Sequence, residues 1–180
     1  MSVFTNPASR SIDDAHVYTA AILNLLGDRD PTRVLQDTPA ALSEALVGLS
    51  DSQMAQPEEP GKWAIRQVAQ HLADSELVWG YRLRLVLAQD RPPLTGYDQD
   101  RWAERLHYDE ANAQTASDDF AVLRRANLRL LTRASLDDLA RVGVHAERGE
   151  ESVGHMIRLY AGHDLLHLAQ LERIRRAVGA

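Results

Sequence analysis

Two histidines, His163 and His167, stand four residues apart in AGHDLLHLAQLERI, residues 161–174. The apolar seam there steps through Met156, Tyr160, His163, His167, Leu171, Ile174 and Val178 in threes and fours. That spacing puts both rings on the inward face of a helix. Residues at i and i+4 are neighbours on a helix surface, so two imidazoles so placed can reach one ion. A single inward histidine is most often a satisfied core residue. Two in one seam are harder to satisfy, because each neutral ring carries a donor and an acceptor. On its own the pair leaves both readings open.

A metal site needs a third ligand. The zinc-protease pattern H-E-x-x-H fits poorly: position 164 is Asp, one methylene short of the usual general base, and only 13 residues (180 − 167) follow His167. Di-iron bundles need paired E-x-x-H motifs, and Glu104-Arg-Leu-His107 stands alone. His71, three residues after Val68 at the edge of an apolar stripe, is the best remaining candidate. His16, His107, His145 and His155 fall on less regular positions and read as surface residues. Three imidazoles from two helices would leave coordination positions open for water or substrate. Zinc, nickel, iron and manganese all accept such a set. Around it, Asp74 could orient a ring or take a proton, and Gln170, three residues after His167, could hydrogen-bond one. Tyr97 and Trp102, on a long connection, could wall a pocket.

Helices must position these groups. Ile12, Ala15, Thr19, Ile22 and Leu26 step at helical spacing, which predicts a helix over 12–26 that stops at Gly27. Thr38-Pro39 offers an N-cap followed by proline at the first helical position, which predicts a helix over 38–49. Ile65, Val68, Leu72, Trp79, Leu83 and Val86 mark one face of a helix over 63–89, interrupted only by Gly80. Residues 91–114 form a long connection with turn signals, the kind that often covers a site. Further helices are expected over 117–134, with Phe120, Leu123, Leu130 and Ala134 inward, and over 153–178. Between them RVGVHAERGEESV suggests a short hairpin around Arg148-Gly149. The fold expected is all-α: one domain over 1–180, an up-down four-helix bundle with an extra N-terminal helix.

With 180 residues, 44% hydrophobic and 26% charged, the chain falls in the globular range and can bury a proper core. No apolar run approaches the ~20 residues that span a bilayer. The opening MSVFTNPASRSIDD lacks the basic and apolar regions of a secretory signal, and a cytoplasmic protein is the expectation. The absence of cysteine excludes disulfides and thiolate ligands, and it removes the most reactive nucleophile. A net charge of −6 argues against binding to nucleic acid. The arginines at 82 and 84, 124 and 125, and 175 and 176 read as solvated helix faces.

GKWAIRQVAQHLADSELVWGYRLRLVL, YDQDRWAERL and YAGHDLLHLAQLERI together resemble the DinB-like superfamily over roughly residues 30–178. The likeness is greatest to its bacillithiol-transferase and metal-hydrolase branch. The most specific parts are the mid-helix His71 and the H-x-x-x-H pair. The resemblance implies a four-helix bundle holding one divalent metal through one histidine of the second helix and two of the fourth. Carried onto this chain, the ligands are His71, His163 and His167. It further implies a transferase joining a low-molecular-weight thiol, bacillithiol-like, to an electrophilic small molecule. A metal-dependent hydrolase or a non-catalytic metal-binding bundle is the alternative, and a homodimer is expected.

Overall fold

The inward stripes close into a bundle in a computed structural model that describes residues 12–179. The reading of residues 1–11 as free of a secretory signal lies outside the described residues. The chain forms α1 (Ile12–Leu26), α2 (Pro31–Leu46), a short α3 (Asp51–Met54), α4 (Ile65–Ala88), α5 (Gln99–Arg105), α6 (Ala113–Leu131), α7 (Leu136–Ala140) and α8 (Val153–Ala177). Strands β1 (Pro93–Leu94), β2 (Val142–His145) and β3 (Gly149–Ser152) complete it.

The helix expected from Thr38 begins at Pro31. Asp30 is the N-cap, accepting from the Thr32 N–H at 2.9 Å, and Pro31 fills the first helical position that Thr38-Pro39 had suggested for Pro39. Thr38 is buried mid-helix and its hydroxyl donates to the Val34 carbonyl at 2.8 Å. Pro39 thus lies inside α2, where it has no N–H for the Leu35 carbonyl. Arg124 of α6 donates to that carbonyl instead, at 2.9 Å. A neighbouring helix has taken over the bond that proline gives up.

The helix expected over 117–134 starts earlier, at Ala113, because the Asn112 side chain accepts from the Thr115 N–H at 2.9 Å. The predicted hairpin is β2 and β3, antiparallel, with His145 opposite Gly149. Gly149 takes φ 79°, the left-handed turn conformation that glycine adopts without strain. A third strand of two residues, β1, joins β2 in parallel. The long connection is therefore ordered: it holds β1, α5 and a 3₁₀ turn, Tyr108–Glu110.

Around the bundle the order is α2, α6, α4, α8, so α2 and α4, consecutive long helices of the chain, face each other across the core. α1 packs on α8. Two apolar clusters fill the interior. One joins Leu42, Leu46, Ile65, Val68, Leu72, Phe120, Leu171 and Ile174. The other joins Leu26, Leu35, Trp79, Leu83, Val86, Leu94, Val153 and Met156. Polar groups of the middle turns of α4, α6 and α8 lie between them: His71, Ser75, Glu76, Arg124, Asn127, Asp164 and His167 are all buried.

Candidate metal centre

α4 enters the core through a tight start. The Gln67 side chain accepts from the Ala64 N–H at 2.9 Å, while Trp63, just before the helix, packs against the His71 ring with centroids 5.1 Å apart. β3 passes into α8 without a linker, and Ser152 caps the helix by accepting from the His155 N–H at 3.0 Å. Deeper in α8, Gly162 lets α1 lie close. A Cβ there would stand 2.7 Å from Ile22 Cγ2 and would also strike the Ile22 carbonyl.

These elements bring the three predicted histidines together. Ring centroids are 4.7 Å apart for His71 and His167, 4.4 Å for His163 and His167, and 5.2 Å for His71 and His163. One nitrogen from each ring lies within 4.8 Å of the others. His71 Nε2 and His163 Nε2 are 3.1 Å apart. Burial is the leading cause that drives the pKa of all three rings down: well below the ordinary value for His71 and His163, and to about 4 for His167. Neighbouring imidazoles add to it for His71 and His163, and Arg124 also for His163. Neutral rings are the form a metal requires.

The donor chemistry fits a divalent ion. His167 Nδ1 lies 2.9 Å from Gln170 Oε1, so Nδ1–H donates and Nε2 presents its lone pair. Between the Nε2 atoms of His71 and His163 only one proton fits. The Nδ1 atoms of those two rings are buried without a partner. Lone pairs therefore converge on one point with too few protons to satisfy them, an arrangement that a cation relieves.

The accompanying residues fall differently. Tyr97 hydroxyl lies 2.8 Å from Ser75 Oγ, which is 3.4 Å from His71 Nε2. Trp102 packs behind Tyr97, with centroids 4.4 Å apart. Asp74 bonds none of the three rings; it accepts from Tyr108 hydroxyl at 2.5 Å and from Gln70 at 3.2 Å. Asp164 turns away from the centre, buried, with both oxygens on Arg124 at 2.6 and 3.1 Å. Arg124 also donates to Glu76 at 2.9 Å. Asn127 holds the other Glu76 oxygen at 2.8 Å and occupies the space that Gly80 leaves open beside α4. Burial raises the Glu76 pKa against the pull of Arg124.

Three surface assignments are corrected. Arg124 is fully buried, so α6 turns a polar stripe inward at Ser117, Arg124 and Asn127, beside Phe120. Arg82 is 6% exposed and His145 only 1%. Their isolation in the sequence concealed them: each is buried by an element distant in the chain. His16 and His107 are exposed as expected, and His155 is half-buried. A cavity next to the three histidines is lined by Ser75, His163, Tyr97, Tyr160, Tyr18, Arg82, His145, Glu147 and Arg148, among others.

Comparison with known proteins gives consistent findings. The family profile described as DinB superfamily matches residues 35–171. A candidate metal-dependent hydrolase of Oceanobacillus iheyensis is 31% identical over 137 residues, which cover 76% of this chain and 79% of the relative. One from Bacillus cereus (strain 03BB102) is 30% identical over 146 residues, covering 79% and 82%. Among solved structures, YfiT from Bacillus subtilis aligns with a TM-score of 0.78 at 27% identity, covering 83% of this chain and 86% of YfiT. YfiT is described as a probable metal-dependent hydrolase with an unusual four-helix bundle topology.

Proposed function

The chain belongs to the DinB superfamily, and from that premise we propose that it is a metal-dependent enzyme that transfers a low-molecular-weight thiol onto an electrophilic small molecule. His71, His163 and His167 would hold the metal. When bound, a divalent ion with open positions supplies Lewis acidity that favours the thiolate of an incoming thiol at neutral pH. Sulfur then forms a bond to the electrophilic carbon, the leaving group departs with its electron pair, and the thiol proton passes to solvent. The protein's own part is positional. Gln170 fixes the His167 tautomer, Trp63 packs against His71, and the cavity beside Ser75 and Tyr97 receives the substrate.

The observation that carries this reading is that no carboxylate bonds the three rings among the described residues. Asp74 is held by Tyr108 and Gln70, and Asp164 and Glu76 by Arg124. Activation of water commonly recruits such a base. A thiol, already far more acidic than water, does not need one. A chain without cysteine suits the scheme, because the nucleophile arrives with the cosubstrate.

The second reading, a metal-dependent hydrolase, is favoured by the names of the relatives. One experiment separates the two. The metal-loaded protein is incubated with a thiol plus chlorodinitrobenzene, and in parallel with ester and amide substrates. Metal-dependent conjugation supports the transferase; metal-dependent ester or amide cleavage without conjugation overturns it in favour of the hydrolase.

A further inference from the structure

The cavity beside the histidines contains a cation that forms no ion pair among the described residues. Arg82 of α4 is buried, and among the described residues no carboxylate forms an ion pair with it. Its guanidinium donates to the Thr95 carbonyl at 2.5 Å and to Tyr160 hydroxyl at 3.4 Å. Those neutral acceptors do not balance its charge, and a buried unbalanced guanidinium is expensive.

His145 faces it. Its Nδ1 accepts the backbone N–H of Glu147 at 3.2 Å, so in the neutral ring Nε2 carries the proton. Burial, helped by Arg148 and Arg82, lowers its pKa to about 4 and keeps the ring neutral. Nε2 is 3.5 Å from an Arg82 nitrogen, at the limit of a hydrogen bond, and could accept from it only in the tautomer that gives up the shorter bond from Glu147. With that bond kept, both atoms are donors. Two donors turned towards each other at this distance lack a shared acceptor. The hydroxyls of Tyr18, Tyr97 and Tyr160 line the same space, and burial raises the pKa of each so that they remain donors. Arg148, also on the lining, is already neutralised by two bonds to Glu151, at 2.5 and 3.0 Å. Glu147 is the carboxylate on the lining; it stands against Gly96 and makes no ion pair with Arg82 among the described residues.

We propose that Arg82 and His145 form a subsite for a carboxylate of the substrate, so that the protein selects an anionic small molecule and points its remainder at the three imidazoles. The two sites share walls. His163 and Ser75 line the cavity, and Tyr160 sits one turn before His163 with ring centroids 6.1 Å apart. An Arg–carboxylate fork supplies orientation as well as attraction. The substrate class deepens the enzymatic reading above and rests on it, whereas carboxylate binding itself requires no metal.

The test is a ligand-observed NMR titration with propionate and its neutral isostere propionamide, on metal-free and zinc-loaded protein. Wild-type protein should prefer propionate by about tenfold or more, since charge-assisted bonds are the stronger ones. The preference should survive in His167→Ala, which lacks a metal ligand. It should vanish in Arg82→Gln and persist, weakened, in Arg82→Lys, while Arg82→Gln still binds zinc. If Arg82→Gln does not fold, the wild-type isostere comparison and Arg82→Lys decide. Equal binding of the two probes by wild-type protein overturns the subsite, as does propionate binding undiminished in Arg82→Gln. So does binding that appears only with zinc and disappears in His167→Ala, because the carboxylate would then sit on the ion. Zinc-loaded protein that binds propionate but conjugates no thiol and cleaves no ester or amide would refute the enzymatic reading and leave the subsite standing.

Discussion

Replacing His167 with Ala tests whether the three imidazoles act as one ligand set. A ligand that binds only the folded state stabilises it by RT ln(1 + [L]/Kd), about 2.7 kcal/mol at a free concentration of 100 Kd. For a domain of this size that raises the thermal midpoint by roughly 5–11 °C. With zinc as the probe, wild-type protein should show that rise and His167→Ala none, because two rings remain of three lying within 4.8 Å. Gln170→Leu gives an intermediate case. It removes the acceptor 2.9 Å from His167 Nδ1, and losses of such partners cost about 10–100-fold in affinity. At the same zinc concentration the stabilisation should shrink to about 0.4–1.4 kcal/mol. Differential scanning fluorimetry with and without zinc reads all three proteins, and circular dichroism checks that each is helical. A full zinc shift in His167→Ala, or an undiminished one in Gln170→Leu, would refute the shared-ion geometry.

Arg124→Met should cost about 3–5 kcal/mol in urea unfolding, because Glu76 and Asp164 would be left buried without a cation. Adding Glu76→Gln and Asp164→Asn should restore part of that loss, and a cost below about 1 kcal/mol would contradict the buried triad. Gly162→Ala should destabilise by about 1–3 kcal/mol through its clash with Ile22, measurable as a lower urea midpoint. For pH, the native rings of His145 and His167 have pKa values near 4, against about 6.5 unfolded. The unfolded chain therefore takes up the extra protons, and metal-free protein should lose stability as pH falls from about 6.5 towards 4. Each ring should contribute about 2 kcal/mol of loss by pH 5, and urea midpoints unchanged from pH 7.5 to 5 would show that the rings titrate normally.

The bundle and the His163–His167 pair could be read from the sequence because both express periodicity, whereas His71, at the edge of its stripe, is singled out by elimination and by the family resemblance. The seam from Met156 to Val178 fixes which face of α8 turns inward, and His163 and His167 lie in it. Helix starts were harder. Thr38-Pro39 and Asp30-Pro31 carry nearly the same local signal, and what decides between them is Arg124, 89 residues from the Leu35 carbonyl it satisfies. The polar stripe of α6 was hidden for a related reason. Arg124 and Asn127 look like solvent-facing residues until Glu76 and Asp164 arrive from two other helices. Arg82 and His145 have no common motif and meet only because the short sheet packs near α4. Periodic features are local properties of a chain; paired buried charges are properties of its tertiary contacts.

The passage of β3 directly into α8 has a bearing on how the protein is made. His71 on α4 is translated 92 residues ahead of His163 on α8. At the ~5–20 residues per second of synthesis, several seconds separate the two ligands. During that time α4 and α6 can pair on the ribosome while His71 waits beside an incomplete wall. The hairpin must emerge next and set the starting angle of α8. The histidine trio is therefore completed only once α8 has joined α4, so capture of an ion would report that the bundle from α4 to α8 has been made and packed.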